Sequence, residues 1–122
     1  MQNKPLHNLH ILIIEDDYYQ AEDTRDYITM AGGAIVSCWG TPPNLDELLM
    51  SQRVDVALLD INLGVKQSFD LARELSAKDI PFVFLTGYDS DILPKDLSEA
   101  RLISKPAAES SVIEAIVESV SA

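Results

Sequence analysis

Ile11 to Ile14 form an apolar run with no polar residue inside it. A strand that does not alternate is buried on both faces, and such strands belong to sheets covered by helices on each side. The rest of the chain keeps to that plan, because short apolar runs alternate with amphipathic stretches. "HILIIE" (10–15), "AIVSCW" (34–39), "VDVALLD" (54–60), "IPFVFLT" (80–86) and "RLIS" (101–104) read as strands. "YYQAEDTRDYITMAG" (18–32), "TPPNLDELLMSQ" (41–52), "SFDLARELSAK" (68–78) and "AAESSVIEAIVESV" (107–120) read as helices. The inward stripes are Ala21, Thr24, Ile28 and Ala31; Leu45, Leu48 and Leu49; Leu71, Ala72 and Leu75; and Val112, Ile113, Ile116, Val117 and Val120. Gly32-Gly33 stop the first helix, and Asn44 with Glu47 reads as a capping box for the second. "GYDSDILPKDLSEA" (87–100) is the least regular stretch, with room for one short helix that Pro94 interrupts.

The order is therefore β-α five times over. Parallel strands joined by right-handed helical crossovers make a doubly wound five-stranded α/β sheet. In such sheets the functional crevice lies beyond the carboxyl ends of the strands. Those ends carry Glu15-Asp16-Asp17, Asp60, Thr86 and Ser104-Lys105.

Composition narrows what the crevice can do. The chain has 122 residues and suits one domain, with a core expected at about 9–121 and no output domain expected after it. Acids outnumber bases 20 to 9, a formal charge of −11, which opposes direct nucleic-acid binding. No apolar run approaches the roughly 18 residues of a membrane span. "MQNKPLHNLH" lacks the apolar centre of an export signal. The single cysteine, Cys38, permits no internal disulfide and fits a cytoplasmic location; it is expected to pack in the second strand. His7 and His10 are expected at the surface without partners.

Three converging carboxylates repel one another unless a cation lies among them. Hard oxygen ligands at a strand end suit Mg²⁺, which keeps several waters and accepts phosphate oxygens. With the ion in place, a carboxylate can attack a phosphoryl group, while a lysine and a threonine meet the charge on the transferring oxygens. Asp17, last of the acid run, is assigned to the N-terminus of the first helix.

The motifs "LIIEDD", "ALLDINL", "VFLTG" and "ISKP" occupy successive strand ends in that order. Over almost its whole length the chain resembles the receiver domain of bacterial response regulators, the CheY-like fold. The resemblance implies a flavodoxin-like (βα)5 sheet of strand order 2-1-3-4-5. It implies that Asp60 is the phosphoacceptor, with Mg²⁺ or Mn²⁺ held by Asp16, by Glu15 through a water, by Asp60 and by the backbone carbonyl of Asn62. Thr86 matches the hydroxyl that turns to the phosphoryl group, and Lys105 the lysine that pairs with it. Pro106 matches the proline whose preceding peptide bond is typically cis. Tyr88, two residues past Thr86, matches a position that tunes access to the acyl phosphate.

The resemblance also implies partners: a sensor histidine kinase or histidine phosphotransfer protein as donor, and a downstream protein. The latter would dock on the family's α4-β5-α5 face, here 87–100, 101–104 and the closing helix. The sequence departs from the pattern at Leu102, where a switching aromatic usually stands, at Ala107 after Lys-Pro, and at Leu63-Gly64. "FLTGY" with the missing aromatic resembles a variant class of single-domain receivers with an F-x-T-G-type motif. Switching would then run through Thr86 and the 87–100 region, with Gly87 as a hinge. Two rival readings remain. "LLDIN" resembles the nucleophile motif of haloacid-dehalogenase-like phosphatases, but those carry it on their first strand with an acid two residues on, where Asn62 stands here. A degenerate receiver would bind partners without phosphorylation.

Overall fold

The apolar run of Ile11–Ile14 forms β1 (His10–Ile14), and all four of its aliphatic residues are buried. The computed structural model describes residues 4–40, 42–63, 66–87 and 93–121, and the side chains of 38, 39, 62, 63, 66 and 67 fall outside that description. The main sheet adds β2 (Ala34–Trp39), β3 (Val56–Asp60), β4 (Phe82–Thr86) and β5 (Arg101–Ser104). All neighbours are parallel, in the order β2-β1-β3-β4-β5. The helices are α1 (Tyr18–Met30), α2 (Leu45–Ser51), α3 (Phe69–Ala77) and a C-terminal helix (Glu109–Ser121).

The pleat sends alternate residues of β1 to opposite faces. Ile11 and Ile13 join Ile28 of α1, Val56, Leu58, Val83, and Val112 and Ile116 of the C-terminal helix in one apolar cluster. Leu12 and Ile14 join Leu45 and Leu48 of α2, Leu59, Phe84, and Leu71 and Leu75 of α3 in the other. Each face thus has its own helical cover, which is why the central strands are apolar between their ends, with His10, Asp60 and Thr86 confined to first or last positions. Phe84 is fully buried in the second cluster, with its ring 6.0 Å from Phe69 and 5.3 Å from Phe82 in edge-on contacts.

The helix starts follow local chemistry. Asn44 caps α2, its side-chain oxygen accepting from the Glu47 N–H at 3.1 Å. At the end of α1, Gly32 takes a φ of +98°, and a Cβ there would lie 2.8 Å from the Lys4 Cβ. That close approach belongs to the N-terminal segment, whose Leu6 is fully buried and donates its N–H to Ala31 O at 2.9 Å. The packed core therefore starts at Leu6, ahead of the expected residue 9.

Three further findings revise the sequence expectations. In place of a fifth helix, the described part of 87–100 holds one 3-10 turn, Lys95–Leu97, directly after Pro94. The Arg73 guanidinium ties that turn to α3, reaching both oxygens of Asp96, and holds the Asp96 carboxyl below its ordinary value. The expected loop after β3 contains a small antiparallel hairpin, pairing Asn62 with Gln67 and Leu63 with Lys66. His10 is not an unpartnered surface residue. Its N–H and Nδ1 lie 2.7 Å and 3.0 Å from Asp55 Oδ2, while Arg53 Nε donates to Oδ1 at 2.7 Å. His7 is exposed, as expected. Cys38 lies in β2, but its packing, like that of Trp39, lies outside the described side chains.

Burial raises the Asp55 carboxyl, but hydrogen bonds from His10 and Arg53 outweigh it and leave the group below its ordinary value. A depressed folded-state value stabilises the protein above the unfolded-state pKa, about 3.9 for aspartate, and that stabilisation disappears as pH falls through the folded value. Urea midpoints of wild type and Asp55→Asn should differ at neutral pH and converge in acid; a difference that persists unchanged in acid would contradict the pairing. Phe84→Ala should cost about 3–5 kcal/mol in urea unfolding, and a loss under 1 kcal/mol would contradict its central place in the core.

Candidate functional site

The chain leaves β1 at Glu15 and is turned at once into α1 by Asp17. Asp17 Oδ1 accepts from the N–H groups of Tyr19 at 3.0 Å and Gln20 at 3.1 Å, so this acid is the α1 cap. The Gln20 N–H is the main reason that the Asp17 carboxyl lies below its ordinary value; burial opposes it and the Tyr19 N–H adds to it. The Asp17 N–H donates to Glu15 Oε2 at 3.2 Å. The three consecutive acids thus occupy three environments: Glu15 buried, Asp16 exposed, Asp17 spent on the helix.

Asp60 ends β3, the strand beside β1, and is half-buried. Oxygen atoms of Glu15, Asp16 and Asp60 all lie within 4.8 Å of one another. Lys105 follows β5 and is fixed to the end of β4 by its N–H, which donates to Thr86 O at 2.7 Å. Its Nζ donates to Glu15 Oε1 at 2.8 Å and to Gln20 Oε1 at 2.6 Å, and lies 3.5 Å from Asp60 Oδ2. Thr86 ends β4 fully buried, one residue past Leu85, the register partner of Asp60. The Lys105–Pro106 peptide is cis and Pro106 is exposed. An open groove of about 590 Å³ starts at Lys105 and Pro106 and runs between Tyr27 and Val112.

This donor set fits a hard divalent cation. The ligand atoms are carboxylate oxygens, and exposed Asp16 leaves a side open to water or phosphate. The remaining positions implied by the resemblance stand as follows. Asn62 begins the hairpin two residues after Asp60, paired in register with Gln67. Leu102 pairs in register with Phe84 and packs against the same cluster, so an aliphatic core side chain fills the place of the aromatic. Tyr88 lies outside the described residues. On the α4-β5-α5 face of the family, Arg101 of β5 and Glu118 of the C-terminal helix form a 2.8 Å ion pair.

Two contacts carried no sequence signal. Gln20 meets Lys105 from 85 residues away. Ser68 is fully buried and donates its hydroxyl to the backbone carbonyl of Asp60 at 2.8 Å. Neither residue belongs to a motif, and only the tertiary fold brings them to the site.

Comparison with known proteins agrees with this geometry. The family described as "Response regulator receiver domain" matches residues 11–117. The regulatory protein VirG of Rhizobium rhizogenes is 28% identical over 102 residues, covering 80% of this chain and 42% of VirG. The aerobic respiration control protein ArcA of Escherichia coli K12 is 32% identical over 101 residues, again 80% of this chain and 42% of the relative. The chain thus spans about two-fifths of the length of these curated relatives. Among solved structures, the receiver domain of PhyR from Erythrobacter litoralis superposes with a TM-score of 0.80 at 26% identity, over 93% of this chain and 91% of that one. A CheY-like receiver domain from Methylobacillus flagellatus gives 0.75 at 24% identity, over 92% and 98%. With the family matched from the second residue of β1 into the C-terminal helix, the chain belongs to the response regulator receiver domains of two-component signalling.

Proposed function

We propose that this receiver accepts a phosphoryl group from a phosphohistidine onto Asp60, in a reaction that requires Mg²⁺ or Mn²⁺, and that the change switches a partner-binding surface. The observation that carries the reading is the gathering of Glu15, Asp16 and Asp60 within 4.8 Å, with the Lys105 ammonium in reach of both Glu15 and Asp60. Glu15, Asp16, Asp60 and the Asn62 carbonyl would hold the ion. When bound, it supplies positive charge opposite the transferring oxygens.

The chain's own residues do the rest. An Asp60 carboxylate oxygen attacks phosphorus as the P–N bond to the donor imidazole breaks, its electron pair passing to the ring nitrogen. Lys105 moves from Glu15 and Gln20 toward the new phosphoryl oxygens, and the Thr86 hydroxyl donates to one of them. A phosphoryl charge of about −1.5 to −2 is enough to redirect both groups and bias a two-state surface. A histidine kinase or phosphotransfer protein would bring its phosphohistidine in from the side that exposed Asp16 leaves open. Readout falls to Thr86 and the 87–100 region, since Leu102 is an aliphatic side chain packed, partly buried, against the core. The downstream partner would meet the surface around β5 and the C-terminal helix. This is a switch that assists its own phosphorylation and dephosphorylation rather than a turnover enzyme, and it acts in the cytoplasm. Among the described residues, no helix is long and apolar enough to cross a membrane.

Acetyl phosphate with Mg²⁺ should add one phosphoryl group to the wild type by intact mass, and Asp60→Ala should lose the label. Rapid multiple turnover of simple phosphate esters would favour a phosphatase instead. Absence of label, where a control receiver is labelled, would leave a docking module that works without phosphorylation. A second outcome concerns charge. Lys105→Met, lacking the internal cation, should melt lower than wild type in EDTA and gain more from millimolar Mg²⁺. A melting temperature that ignores Mg²⁺ in both proteins would contradict the metal site.

A further inference from the structure

Ser68 stands at the start of α3, yet its side chain makes no capping bond to that helix. A serine in this position ordinarily turns its hydroxyl onto the free N–H groups of the first turn. Here the hydroxyl points the other way, to the backbone carbonyl of Asp60 at 2.8 Å, and the residue is fully buried. Its N–H donates to the carbonyl of Ile61 at 3.1 Å. One residue therefore fastens the two successive carbonyls at the end of β3.

These two bonds close the base of the 61–67 segment. Asp60 leads into that segment and Asn62 begins its hairpin, so both share one anchor. Asp60 is also the last residue of its strand, where the sheet no longer fixes the following peptide on both sides. Rotation of that peptide would move the Asp60 carboxylate relative to Glu15 and Asp16, and the Asn62 carbonyl with it. Groups behind a ligand that set its orientation commonly matter almost as much as the ligand itself.

We propose that Ser68 is a positioning residue for the phosphoacceptor, holding the Asp60 and Asn62 backbone in the geometry that binds the divalent ion and receives the phosphoryl group. The inference rests on reading Asp60 as the acceptor, and it adds a residue outside the acidic pocket to that site.

The test compares Ser68→Ala and Ser68→Cys with wild type. Cysteine keeps nearly the same volume but is a weak donor, so it separates the hydrogen bond from packing and carries the comparison should the alanine variant fold poorly. Ile28→Val, in the opposite core cluster, serves as a control for general destabilisation. Mg²⁺ affinity is measured by calorimetry, and the rate of labelling by acetyl phosphate at saturating Mg²⁺. Both Ser68 variants should lose about tenfold in Mg²⁺ affinity and label more slowly, while Ile28→Val keeps wild-type values in both. Wild-type affinity and rate in the Ser68 variants would overturn the proposal, as would a cysteine variant that behaves like wild type. If wild type binds Mg²⁺ but takes no label, the acceptor reading fails and the Mg²⁺ affinities alone decide the role of Ser68. If wild type neither binds nor labels, both fall.

Discussion

Like charges at the end of a sheet must be held together against their own repulsion. At an effective dielectric of about 20, two carboxylate oxygens closer than 5 Å repel by roughly 3 kcal/mol. In this receiver, Glu15 and Asp60 stand in that relation at the ends of neighbouring strands. Lys105 offsets part of the repulsion from a third direction, with its ammonium on Glu15 and in reach of Asp60. The acids, the lysine and the strands that deliver them form one electrostatic unit, which a divalent ion or a phosphoryl group would reorganise rather than create.

The fold makes that unit possible through the order of its strands. β1 and β3 are adjacent at the centre, so their carboxyl ends bring Glu15 and Asp60 together. β4 and β5 follow outward and supply Thr86 and Lys105, joined by the bond from Lys105 N to Thr86 O. The apolar run of β1 stays buried under helices on both faces, so its end is fixed by core packing. The strand ends carry the acids, and the described part of the crossover after Thr86 holds one 3-10 turn, Lys95–Leu97.

Much of this was legible in the chain. Unbroken apolar runs revealed the central strands, the caps at Asp17 and Asn44 marked helix starts, and the spacing of Glu15, Asp16, Asp60, Thr86 and Lys105 placed them at one edge. What stayed hidden depends on contacts between distant segments. Leu6 precedes the first expected strand, and its burial depends on the segment packing back beside Gly32, where its N–H meets Ala31 O. His10 gained its partner because Asp55 precedes the neighbouring strand. Gln20 and Ser68 are ordinary helix-start residues by sequence, and their roles arise from Lys105 and from the backbone of Asp60. The absent aromatic at Leu102 was plain in the sequence, and its consequence is a β5 side chain already packed against the core.

The central claim is that Asp60, and no other acid of the cluster, carries the phosphoryl group. An acyl phosphate on an aspartate is reduced by borohydride to homoserine, which marks the residue permanently. Protein phosphorylated by a histidine kinase, reduced, digested and sequenced by mass spectrometry should carry homoserine at position 60, with Asp16 and Asp17 unchanged. Homoserine at Asp16 or Asp17, or a label that survives on His7 or His10 with no homoserine at all, would contradict the account.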